Sequence, residues 1–134
     1  MDNEAEDNVE DNAVHIFREA DVLLQVLCAA AENGGGGAPV TLLVGGAIVT
    51  GEIIGAKQFY EAVGMGDVWV AFHPNGDEDK PPALSRKYIH LENVQIFLGG
   101  AAPIPTGETI KVWRGKLSEV SGFNTGRLMT EAKG

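Results

Sequence analysis

The histidine, cysteine and serine side chains on which acid–base, nucleophilic or zinc chemistry most often rests are sparse in this chain: His15, His73 and His90, the single Cys28, and Ser85, Ser118 and Ser121. The three histidines fall in three separate stretches, and neither HExxH nor CxxC occurs, so no metal-ligand spacing is present. No GxSxG surrounds a serine, which removes the strained turn that exposes a nucleophile in many hydrolases. The glycine run Gly34 to Gly37 resembles a phosphate cradle only in composition. A phosphate loop follows a strand and opens a helix whose N–H groups face the anion, whereas this run follows a helical pattern. It reads as a connector, and no catalytic residue, metal or cofactor is expected. The remaining chemical signal is Trp113-Arg114-Gly115 followed by Lys116. An aromatic ring, a guanidinium and a small residue together suit stacking and anion contacts.

The elements that must position these residues come from 134 residues, the length of one ordinary domain. Hydrophobic residues make up 44% of the chain, enough for a core without disulfides, and one cysteine cannot form a disulfide within it. A reducing, cytoplasmic setting is the expectation. The apolar run Val22 to Ala31 is too short to cross a bilayer, and the N-terminus is acidic where a signal peptide is basic. Asp2, Glu4, Glu6, Asp7, Glu10 and Asp11 fall in the first twelve residues with no basic partner, which leaves 13 acidic and 10 basic residues from position 13 onward. Two-thirds of the net charge of −9 therefore sits in a tail. Residues 1–12 are expected to be a disordered acidic tail and 13–130 a single globular domain. The negative balance argues against nucleic acid, which needs a basic surface.

Phe17, Ala20, Leu24, Leu27 and Ala31 recur at three- and four-residue steps, which predicts a helix over about 13–32 capped by Asp11 or Asn12. Val40–Val44 and Ala47–Thr50 flank Gly45-Gly46, the pattern of a tight β-hairpin, and Gly51 marks a bulge or bend. Residues 56–63 carry good helix formers, residues 68–72 suit helix or strand equally, and 73–82 form a loop. A long strand follows over 87–98, bent at Glu92-Asn93, and then two more strands, 109–113 and 116–123, around Arg114-Gly115. Alternation along 110–113 sets Ile110 and Val112 on one face and Lys111 and Trp113 on the other, so Trp113 points outward. Tyr88, Phe123 and Trp69 read as core or core-edge aromatics. The fold class is α+β: an N-terminal helix, then a small, strongly bent five-stranded antiparallel sheet or partly open barrel with a helical or irregular insert after the first hairpin.

The runs Val40–Tyr60, Tyr88–Phe97 and above all Ile110–Gly126 (IKVWRGKLSEVSGFNTG) resemble gas vesicle accessory proteins of the GvpU type. The specific part is Trp113, Arg114, Gly115, Lys116, Glu119, Val120, Gly122 and Phe123, while 64–86 departs from the long acidic helical insert of that family. The resemblance implies a non-enzymatic, gas-vesicle-associated protein of the cytoplasm that acts by protein–protein interaction in vesicle assembly, clustering or stability. Its implied partners are shell or other accessory proteins and further copies of itself, with no membrane contact. Trp113, Arg114, Gly115, Lys116 and Phe123 are the candidate interaction residues. A weaker likeness to Sm-like proteins, with their SH3-like bent barrel, rests on Gly46, Gly51, Leu43 and Arg114-Gly115, and implies an oligomeric RNA-binding protein as the alternative. Where an RNA-binding Sm protein offers Asp and then Asn, this chain has Lys57 and, near Tyr60-Glu61, no Asn.

Overall fold

The structure, a computed structural model, describes residues 20–73, 87–100 and 102–128. Helix α1 spans Val22–Ala30 and is capped by Asp21, whose backbone is extended and whose carboxylate accepts the Leu24 N–H at 3.1 Å. Of the helix expected over 13–32, the described part begins at Val22, and the expected caps Asp11 and Asn12 lie outside the described residues. One wide turn over Ala31–Gly35 closes the helix, and the glycine run then leads into the sheet as a connector.

Strands β1 (Pro39–Val44) and β2 (Ala47–Ile54) form the expected hairpin, with Val44 opposite Ala47. The two-residue turn between them works because Gly45 and Gly46 both hold positive φ, 55° and 84°. Two short helices follow, α2 (Ala56–Ala62) and α3 (Gly66–Ala71), so the stretch that suited helix or strand is helical. Strand β3 (Tyr88–Phe97), strand β4 (Ile110–Lys116) and strand β5 (Val120–Thr125) complete an antiparallel sheet of order β4-β3-β2-β1-β5.

Arg114-Gly115 is not a turn between two strands, as the sequence pattern suggested. Both residues lie inside β4, and the chain breaks instead at one 3₁₀ turn, Leu117–Glu119. β4 pairs with β3 while β5 pairs with β1, so consecutive strands occupy opposite edges of the sheet. A flat five-stranded sheet would separate those edges by about 19 Å, but a 3₁₀ turn advances only about 2 Å per residue. The sheet must curl to let the chain cross, yet no register joins β4 to β5, so it stays open.

The curl has a local cause. Thr50 pairs with Gln95 and Glu52 with Glu92, leaving Gly51 opposite the two residues Asn93 and Val94, a bulge in which Asn93 adopts φ of 53°. Leu91 and Val94, which strict alternation would set on opposite faces, are both fully buried. β4 follows in register, with Trp113 opposite Leu91 and Ile110 opposite Val94, and both pack on the core. Trp113 therefore turns inward, and the outward position expected from simple alternation is corrected by the bulge beside it.

The core lies between α1 and the concave face: Leu24 and Cys28 meet Val40, Leu42, Val49, Ile53, Ile89, Leu91, Val94 and Leu117. Each fully buried Leu or Ile contributes about 1.5–3 kcal/mol relative to exposure. On the other face, α2 lies against β3 and β4, with Phe59 4.9 Å from the buried His90 ring. The Glu32 carboxylate ties α1 to α2 by accepting the Ala56 N–H; burial raises its pKa, and this hydrogen bond acts in the opposite sense. Residues 126–128 clamp across β1 and β2: the Thr41 hydroxyl donates to the Gly126 carbonyl, the Leu128 N–H donates to Thr50, and Arg127 pairs with Glu52 at 2.6 Å.

Candidate functional site

The Trp-Arg-Gly-Lys segment divides into two jobs. Trp113 lies over its neighbour two residues on, so closely that a Cβ built at Gly115 would fall 2.2 Å from the indole Cη2. Gly115 is small because the ring occupies the place of its side chain. Arg114 and Lys116 point the other way and are exposed. Phe123 sits on β5, opposite Leu42 and half-buried against the same core. The fold thus keeps Arg114 and Lys116 as surface residues and assigns Trp113, Gly115 and Phe123 to packing.

Arg114 is held by aromatic rings. Its guanidinium carbon lies 3.8 Å from the centroid of the Tyr88 ring, and that of Tyr60 from α2 is 5.9 Å away. At an exposed site such cation–π contacts are worth about 0.5–1 kcal/mol, enough to orient the guanidinium. Tyr60 continues the cluster to Trp69 at 5.4 Å and Phe72 at 6.5 Å, and Trp69 meets the His73 ring at 4.3 Å. His73 Nδ1 lies 2.8 Å from the Trp69 carbonyl oxygen. Around this cluster the helical pair leaves Val63, Met65, Val68, Val70 and Phe72 exposed, Phe72 by 65%. An apolar patch beside an oriented cation suits recognition of another protein.

His90 is buried beneath this cluster, and its Nε2 has no hydrogen-bond partner among the described residues. Burial, and secondarily the Arg114 charge, lower its pKa to about 4. The imidazole is therefore neutral in the fold, and as pH falls below about 6.5 the unfolded chain takes up the proton first. This residue's contribution to stability is complete above pH 6.5 and declines toward pH 4, by at most about 3 kcal/mol. His90→Leu is expected to shrink the difference between urea midpoints measured at pH 7 and pH 4.5. Equal midpoint differences in the two proteins would contradict it.

Among the described residues, no three His, Cys, Asp or Glu side chains gather as metal ligands, and no helix is long and apolar enough to cross a membrane. Sequence reasoning found Arg114 but not its setting. Phe59 and Tyr60 come from α2, whose packing onto β3 and β4 has no local signature, and Trp69 and Phe72 come from α3 and its C-terminal cap, which pack on α2. The Arg127–Glu52 pair, 75 residues apart, likewise left no pattern to read.

No curated relative matches the chain. The family model described as gas vesicle protein GvpU-like matches residues 21–128, a span running from the cap of α1 through every strand to the C-terminal clamp, and the chain belongs to that family.

Proposed function

We propose that the protein is a non-enzymatic gas vesicle accessory that works by protein–protein contact in vesicle assembly, clustering or stability. Its docking face is Arg114 with Tyr88 and Tyr60, flanked by Lys116 and by the exposed Met65, Val68, Val70 and Phe72. The observation that carries this reading is the guanidinium held over Tyr88 beside an apolar helical pair, a combination of anchors that protein interfaces favour. The partner is a vesicle shell protein or another accessory protein, and the setting is the cytoplasm.

Self-association is the companion proposal. Among the described residues the outer edge of β5 has no strand beside it, and such an edge invites pairing between copies. The curled sheet also supports an SH3-like or Sm-like relationship at the level of shape. The RNA-binding alternative draws no support from the family match.

Gas vesicles float under centrifugation and carry bound protein with them. Mixed with purified vesicles, the chain is expected in the floating layer. Absence from that layer, together with no capture by any other product of the vesicle gene cluster, would overturn the proposal.

A further inference from the structure

The described cations are unevenly placed. Arg127 is paired with Glu52, and Lys57 is engaged elsewhere. The other four, Lys87, Lys111, Arg114 and Lys116, lie on or beside the edge strand β4, and all four are exposed. Lys87 is fixed next to the end of β4 by its carbonyl, which accepts the Leu117 N–H at 2.8 Å. The nearby carboxylates Glu92, Glu108 and Glu119 form no ion pair with any of the four. Four like charges on one edge repel one another and discourage a further strand from adding there.

Against this edge stands the most acidic stretch of the same chain. The first twelve residues carry six carboxylates and no cation, and Asp2, Glu4 and Glu6 repeat at two-residue spacing. In an extended segment that spacing sets carboxylates on one side every ~6.8 Å, the same interval that separates Arg114 from Lys116 along β4. Twelve extended residues reach up to about 40 Å, more than the roughly 35 Å diameter of a domain of this size. Tethering raises the local concentration to the millimolar range, so even modest charge pairs are populated.

We infer that residues 1–12 dock on the Lys87, Lys111, Arg114 and Lys116 edge of their own chain. The acidic segment thereby occupies the cations that any anionic partner would use, and competes with it. This inference stands independently of the vesicle assignment.

Zero-length carbodiimide cross-linking of the full-length chain, read by mass spectrometry, tests it. Tail carboxylates are expected to couple to Lys87, Lys111 and Lys116 about fivefold more often than to Lys57, Lys80 and Lys133 at low salt. The preference is expected to vanish at 1 M salt, where screening extends only about 3 Å. Arg114→Glu, which leaves every lysine in place, is expected to reduce it severalfold while the circular dichroism spectrum stays the same. Even coupling across all lysines would overturn the inference, as would coupling found only between isotopically heavy and light copies. Protection of Lys111 and Lys116 by poly-U, with no tail coupling, would overturn it in favour of a nucleic acid occupant.

Discussion

Gly115→Ala is expected to lower the melting temperature by about 5–15 °C and to shift Trp113 fluorescence to the red. The added methyl would stand 2.2 Å from Cη2 and under 3 Å from two further ring carbons, so the indole must leave its seat. Its departure loosens packing against the core layer of Ile89 and Leu91, the partners of Gly115 and Trp113 across the β3–β4 register. Overpacking of this kind costs about 1–3 kcal/mol, and each kcal/mol is worth roughly 4–8 °C in a domain near 100 residues. A Trp69→Phe background isolates the Trp113 signal. Unchanged melting and emission would show that the ring does not rest on Gly115.

Gly51→Ala is the second large effect, and its cause is backbone. The new Cβ would lie 2.8 Å from the Glu92 carbonyl oxygen, 3.1 Å from Val94 Cγ2 and 3.4 Å from Leu91 Cβ. The flexible end of a side chain can yield, but a carbonyl inside a strand pair yields only if the bulge opens. Because that bulge turns both Leu91 and Val94 inward, the loss is expected to reach about 3 kcal/mol, near the upper end for overpacking. Urea denaturation measures it as a lower midpoint, and a midpoint equal to that of the parent would contradict the close approach.

Much of the sheet was legible because its signals are local. Gly45-Gly46 between alternating strands predicts its turn through φ alone, and Glu92-Asn93 marks the bend that Asn93 makes at positive φ. What the pattern missed depends on distant partners. Gly115 looks like a turn residue until the Trp113 ring is seen to need the space, and Trp113 looks outward until the bulge on the neighbouring strand turns it in. Asp21 caps α1 because its extended backbone lets the carboxylate reach the Leu24 N–H, a break that the unbroken apolar stripe from Phe17 to Ala31 hides. The aromatic setting of Arg114 required α2 to fold onto β4, bringing together residues 54 positions apart, Tyr60 and Arg114.

The vesicle-docking reading turns on Arg114, which the fold exposes and orients without using it in the core. The most direct measurement is a flotation titration on purified gas vesicles with the parent chain and Arg114→Ala, each checked for an unchanged melting temperature. Loss of an interface arginine of this kind is expected to weaken binding about tenfold, equivalent to about 1.4 kcal/mol. Equal flotation of the two proteins would contradict the account.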